Sequence, residues 1–170
     1  MGFNLETYTA LHVALSLVGI VSGFVVAFGL LAGRRFPRAT TVFLVTTAAT
    51  SLTGFGFPAQ KILPSHLVGI ITLPLIAGIV VCQRLPLPPR VFALIFVSNA
   101  MLVLYLNVFV LVFQAFDKVP ALKAVAPTQS ELPFAIVHAV VFVLFGVLTV
   151  VAALKGLRPV VPPEAPTWGQ

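Results

Sequence analysis

The chain has 170 residues, of which 59% are hydrophobic and 8% are charged, and its mean hydropathy is +1.12. Soluble domains carry about 25% charged residues, so this composition excludes a water-soluble globular protein. The net charge is +6 with a pI near 10.3, yet the basic residues lie in short segments between apolar runs, where they act as topology signals. We therefore expect a lipid bilayer, and not nucleic acid, as the partner of this surface.

Five apolar runs follow one another along the chain, and each predicts a transmembrane helix. They cover residues 8–31, 40–55, 65–81, 91–116 and 134–154. We predict an all-α integral membrane bundle of five transmembrane helices in one domain, residues 1–157, followed by a proline-rich cytoplasmic tail at residues 158–170. The second and third runs are short for a hydrocarbon core about 30 Å thick, so a four-span alternative with a re-entrant middle pair stays open.

The positions of the basic residues predict the orientation of the helices, because short cytoplasmic loops are enriched in Lys and Arg. Seven basic residues fall on the side that follows the first, third and fifth helices: Arg34, Arg35, Arg38, Arg84, Arg90, Lys155 and Arg158. The opposite side carries three basic and three acidic residues: Lys61, Lys118, Lys123, Glu6, Asp117 and Glu131. We therefore predict that the N-terminus lies outside the membrane and the C-terminus in the cytoplasm.

All three histidines map to the outer ends of their helices, where a polar side chain in lipid needs a partner. His12, His66 and His138 differ in predicted depth by about one helical turn. Neutral imidazole is a common ligand of zinc, copper and haem iron, so these residues are the candidate ligands of a metal or a haem. They come from separate helices without a local spacing motif, and hydrogen-bonding anchors at the interface are the alternative interpretation.

Small residues predict where the first helix packs. Steps of 4, 7 and 11 residues from His12 reach Ser16, Gly19 and Gly23. A face of small residues lets helix backbones approach closely in a membrane. We therefore expect this face to contact other helices of the bundle.

Carboxamide and hydroxyl side chains form a polar stripe on two other helices. The stripe consists of Asn99, Asn107 and Gln114, at steps of 8 and 7 on the fourth helix, with Thr47, Thr50 and Ser51 on the second. Inside a bilayer, hydrogen bonds between such groups are worth about 0.6–2 kcal/mol each, enough to decide which helices touch. The alternative is a polar pocket for a lipid head group, a quinone or a small solute. No Asp, Glu, Lys or Arg lies in the middle of a predicted helix, which disfavours proton translocation.

Five stretches resemble a group of short, uncharacterised polytopic membrane proteins of bacteria: residues 11–20, 51–58, 64–70, 104–116 and 126–134. The likeness covers most of the chain apart from two proline-rich segments, residues 83–90 and 158–170. It implies a multi-pass protein of the bacterial inner (plasma) membrane. It implies no activity, since none is assigned to that group.

The sequence contains no recognisable catalytic set, so an enzyme is not our first expectation. We favour a non-enzymatic small integral membrane protein that acts through helix packing, either as a homo-oligomer or as an accessory subunit of a larger membrane complex. Its partners would be the bilayer and either another membrane protein or a second copy of itself. The alternative is a haem- or metal-binding membrane redox protein that uses the outer-leaflet histidines, and a small-solute carrier is a third interpretation.

Overall fold

A computed structural model describes residues 4–57 and 64–156 of the chain, and every regular element in these ranges is an α-helix. Helices account for 85% of the described residues, with no strand among them, so the all-α prediction is confirmed. Lys61, Arg158 and the proline-rich tail at residues 158–170 lie outside the described residues.

Five long helices and one short helix follow in chain order within the described ranges. They are α1 (Leu5–Leu31), α2 (Pro37–Gly54), α3 (Pro64–Cys82), α4 (Pro89–Lys118), α5 (Pro120–Val125) and α6 (Leu132–Gly156). Three of them, α1, α4 and α6, are long and apolar enough to cross a membrane. The apolar part of α3 covers the shorter range His66–Cys82, and six of the 18 residues of α2 are threonines, which lowers its hydropathy. Each predicted apolar run therefore falls on one long helix, and three of these helices meet the requirements for a membrane span.

The turn between α1 and α2 shows how local chemistry ends a helix in this chain. Gly33 has a φ of 69°, a left-handed conformation that glycine adopts without steric cost. The amide of Gly33 donates to the carbonyl of Leu30 at 3.0 Å, and the amide of Arg34 donates to the carbonyl of Gly29 at 2.8 Å. This pair of bonds is a Schellman motif, which satisfies the last carbonyls of α1. The chain is then free to begin α2 at Pro37.

Helix α4 is the centre of the bundle. Its most extensive contacts are with α1, α3, α5 and α6, while those of α2 are with α1 and α3. The first four long helices therefore form an antiparallel four-helix bundle, and α6 lies in the groove between α1 and α4. The central position of α4 explains its many buried side chains, which include Phe96, Val97, Met101, Val103 and Leu104.

Glycines on α1 allow its backbone to approach α2 and α4. Gly19 and Gly23 are both buried. A Cβ atom at Gly23 would lie 2.6 Å from Leu104 Cδ1 and 2.8 Å from Phe43 Cε2. Both of those side chains are 1% exposed, so neither has free space into which it can move. Glycine is therefore the residue that fits at position 23.

Replacing Gly23 with alanine is expected to lower the free energy of unfolding by about 1–3 kcal/mol, because the new methyl group overpacks the contact between three helices. The matched control is Gly146→Ala on α6, where no atom lies within 4 Å of the Cβ position. Alanine favours a helix over glycine by about 0.8–1 kcal/mol, so this control should be neutral or stabilising. Denaturant unfolding in detergent micelles compares the two, and equal stability of both variants would contradict the close packing at Gly23.

Candidate functional site

One hydrogen bond in the bundle interior joins α4 to α2. Asn107 Nδ2 donates to Thr47 Oγ1 at 3.2 Å, and Thr47 is 1% exposed. A Cβ atom at Gly19 would lie 3.1 Å from Thr47 Oγ1, so the backbone of α1 also packs against this hydroxyl group. Three helices therefore meet at one buried hydroxyl group, which would have no water to replace a lost partner.

A second carboxamide of α4 bonds to α3. Asn99 Nδ2 donates to the carbonyl oxygen of Leu75 at 3.4 Å, directly after Pro74 in the helix. A Cβ atom at Gly78 would lie 2.7 Å from Asn99 Nδ2, so Gly78 leaves the space that this carboxamide occupies. Gly78 was not among the predicted packing residues, although a glycine within an apolar membrane helix is a signal of such a close approach.

The remaining residues of the predicted polar stripe have other surroundings. Gln114 is exposed, and Thr50 Oγ1 is buried without a hydrogen-bond partner in the described part of the chain. Ser51 is partly buried, and its carbonyl oxygen lies 3.6 Å from the Cβ position of Gly69 on α3. The polar groups therefore serve separate helix pairs, because the carboxamides of α4 bond one to α3 and one to α2.

Two side chains of α1 bond to one residue of α2 at the end of the bundle that holds the N-terminus. Tyr8 Oη donates to the carbonyl of Thr53 at 2.5 Å, and His12 Nδ1 lies 2.9 Å from Thr53 Oγ1. The Thr53 hydroxyl donates to the carbonyl of Ala49 at 2.8 Å, so it accepts from His12 Nδ1–H, which sets the imidazole tautomer. One turn further along α1, the hydroxyl of Ser16 donates to the carbonyl of His12 at 2.9 Å. His12 thus acts as a hydrogen-bond donor between α1 and α2.

The other two histidines pack against different aromatic rings. His66 stacks on Phe55 with ring centroids 5.6 Å apart. His138 lies against Phe109 and Phe134, with centroid distances of 4.7 Å and 4.2 Å. Its Nδ1 is 3.1 Å from the carbonyl oxygen of Phe134, which can only accept, so the ring donates from this nitrogen to its own helix.

The predicted metal site of three histidines is not formed by the described residues. Within residues 4–57 and 64–156, no three His, Cys, Asp or Glu side chains make a group that could hold a metal ion. His12 bonds to α2, His66 packs on the ring of Phe55, and His138 packs on α4. The histidines do not converge because side chains at a similar depth can project from their helices in different directions. Each imidazole ring therefore contacts different residues.

Successive long helices run in opposite directions, so the charged residues between them lie at the two ends of the bundle. The end where α1, α3 and α6 finish carries six basic residues and no acidic residue within the described ranges: Arg34, Arg35, Arg38, Arg84, Arg90 and Lys155. The Arg35 guanidinium lies 4.3 Å from the centre of the Phe92 ring, and Lys155 Nζ donates to the carbonyl of Leu31 at the end of α1. At the opposite end, Asp117 pairs with Lys118 at 2.8 Å and with Lys123 at 3.2 Å. The two ends therefore differ in net charge.

The chain matches no family model, and no curated protein or solved structure matches it significantly.

Replacing Asn107 with leucine is expected to lower the free energy of unfolding by about 0.6–2 kcal/mol, because it leaves the buried Thr47 hydroxyl unpaired. Thr47→Val should have a similar effect, and the double variant should lose less than the sum of the two, as expected for residues that share one interaction. Gln114→Leu, at an exposed position of α4, is the matched control and should leave stability unchanged. Unfolding in detergent gives all four values, and strictly additive effects at Asn107 and Thr47 would contradict the bond between α4 and α2.

Proposed function

We propose that the chain is a non-enzymatic protein of the bacterial inner membrane that acts through helix packing, with α6 as its contact to a second copy or to a larger membrane complex. The observation that carries this proposal is the exposure of α6. Within an apolar 18-residue segment of each of the three longest helices, 44% of residues are buried in α1 and 39% in α4, but 6% in α6. A helix so apolar and so little covered by its own chain needs lipid or another protein around it.

The outward face of α6 has the small residues that favour close contact between membrane helices. Gly146 has no atom within 4 Å of its Cβ position, and Ala139, also exposed, lies two turns earlier. Val143 and Val150 are 60% and 59% exposed on the same side of the helix. Small and β-branched side chains project little from the helix, so the backbone of a partner helix can approach closely. This supports an assembly role for this face.

We include α2 and α3 among the membrane-spanning helices, which gives five spans. Their 18 and 19 residues correspond to about 27 Å and 28 Å, close to the thickness of the hydrocarbon core. The polarity of α2 is compatible with this location because most of its hydroxyl groups bond within the helix. The hydroxyls that donate to carbonyls four residues earlier are those of Thr40, Thr41, Thr46 and Thr53. Such bonds keep hydroxyl groups satisfied without water.

We further propose that the basic end of the bundle faces the cytoplasm, which places the N-terminus outside. The six basic residues at that end, with no acidic residue among the described ones, support this orientation through the bias of cytoplasmic loops towards Lys and Arg. The acidic residues of the described ranges are Glu6, Asp117 and Glu131, all at the other end.

Single cysteines test this orientation in intact bacterial cells. Glu6→Cys and Thr128→Cys should react with a membrane-impermeant maleimide, whereas Leu85→Cys, between α3 and α4, should react only after permeabilisation. Each variant is made in a Cys82→Ala background, because Cys82 is the single cysteine of the chain. Leu85 is 50% exposed, so the reagent can reach it once the membrane is open. Labelling of Leu85→Cys in sealed cells would reverse the proposed orientation.

Gly146→Trp is expected to abolish assembly of the protein while leaving the stability of the single chain unchanged, because the added side chain starts from a position without neighbours. The matched control is Val21→Trp on α1, where the wild-type side chain is 65% exposed and assembly should persist. The size of the particle extracted from native membranes in polymer-bounded lipid discs, measured by mass photometry, reports both outcomes. A wild-type particle no larger than one chain, or assembly that survives Gly146→Trp, would contradict the proposed role of α6.

A further inference from the structure

Four arginines at the basic end of the bundle are exposed and have no ion pair or side-chain hydrogen bond within the described ranges. They are Arg34, Arg38, Arg84 and Arg90. The ion pairs found among the described residues belong to Asp117 at the other end. Arg35, by contrast, lies over the ring of Phe92, and Lys155 bonds to the carbonyl of Leu31. The four arginines therefore present guanidinium groups that an external anion can reach.

Two of these arginines lie where a cation is electrostatically unfavourable. Arg38 and Arg90 each occupy the first turn of a helix, directly after Pro37 in α2 and Pro89 in α4. Neither first turn has an acidic residue or a side-chain cap, and the N-terminus of a helix carries about half a positive charge. Anions supplied from outside the chain would offset the repulsion between this end charge and the guanidinium groups.

Exposed apolar side chains adjoin these arginines along the chain. Leu85 follows Arg84 and is 50% exposed, and Val91 follows Arg90 and is 41% exposed. Phe36, two residues before Arg38, is also 41% exposed. Positive charge next to apolar surface fits a ligand with an anionic head and an apolar tail. A free phosphate ion or a nucleic acid would use only the charges.

We propose that the basic end of the bundle binds the phosphate groups of anionic phospholipids, with Arg38 and Arg90 as the principal contacts. This inference rests on the proposed membrane-spanning architecture, which brings that end to the level of the lipid head groups. The guanidinium group offers paired N–H donors that match two phosphate oxygens. Anionic lipids add a net negative charge that zwitterionic phosphatidylcholine lacks, so the basic end selects phosphatidylglycerol over phosphatidylcholine.

The test measures lipid binding to the purified full chain in detergent by native mass spectrometry, with phosphatidylglycerol and phosphatidylcholine of identical acyl chains. Wild type binds phosphatidylglycerol more tightly, and Arg38→Gln/Arg90→Gln weakens that binding by about fivefold for each arginine removed, the contribution of one cation near an anionic lipid surface. Lys118→Gln/Lys123→Gln removes the same charge from the opposite end and leaves phosphatidylglycerol binding unchanged. Arg38→Lys/Arg90→Lys keeps the charge without the paired donors and loses less affinity than the glutamine variant.

Three results would overturn the proposal. The first is equal binding of both lipids by wild type, and the second is an equal loss in the two double glutamine variants. The third is displacement of phosphatidylglycerol by glycerophosphoglycerol, which is the head group without acyl chains, or by an oligonucleotide at the same phosphate concentration. Either result would mean that the site recognises only the charge. If the double variant does not fold, the single variants Arg38→Gln and Arg90→Gln replace it, each with a loss of about fivefold expected, and unchanged binding in both counts against the proposal.

Sodium carbonate extraction distinguishes failure of this inference from failure of the proposed function. A chain that carbonate releases from membranes contradicts the membrane-spanning architecture itself. A chain that stays in the membrane pellet and shows no preference for phosphatidylglycerol contradicts the lipid site alone.

Discussion

The close contact of α1 with α2 and α4 around Gly23 and Thr47 is the constraint on which the rest of the bundle depends. Lipid tails are as apolar as the helices, so packing and interhelical hydrogen bonds decide which helix surfaces meet. Glycine at position 23 lets α1 lie directly against Phe43 and Leu104. The bond from Asn107 to Thr47 adds a directional contact between α4 and α2. Because these contacts hold α1 beside α4, the groove between the two helices becomes the position of α6.

The same constraint explains how the bundle divides its polar groups. Asn99 bonds across to α3 and His12 to α2, whereas His138 and Thr46 bond to carbonyl groups of their own helices. Charged side chains are left for the two ends, where water and lipid head groups solvate them. The outer surface is then apolar, and α6, of which few residues are buried, contributes much of it. This is the physical basis for the proposals that α6 mediates assembly and that the basic end binds lipid.

The sequence predicts which polar residues lie within the helices, but not which helix each of them contacts. Spacing marked Asn99 and Asn107 as a stripe on α4, but eight residues at about 100° each leave a rotation of about 80° between them, enough to direct one to α3 and the other to α2. Gln114 follows the same spacing and is exposed. The sequence predicts that each histidine lies near one end of its helix, whereas the side chains that they contact are defined only by the structure. Tyr8 and Thr53 lacked a pattern of their own, since each becomes significant only through a residue on another helix. Gly78 carried the signal of a glycine within an apolar helix, but its partner Asn99 is defined only by the structure.

Local properties of the sequence were sufficient to determine the helical class, the apolar segments, the separation of charge and the small-residue face of α1. Each of these depends on hydropathy, charge or spacing within one segment, and such quantities do not require a partner helix. The tertiary structure alone decided that α4 is central and that α6 stays largely uncovered. It also decided that His12 and His66 meet the end of α2, whereas His138 packs on α4. In a soluble helix, the contrast between a polar and an apolar face reveals which side is buried. Here both the lipid-facing and the interior side chains are apolar, so only the fit between helices selects the buried face.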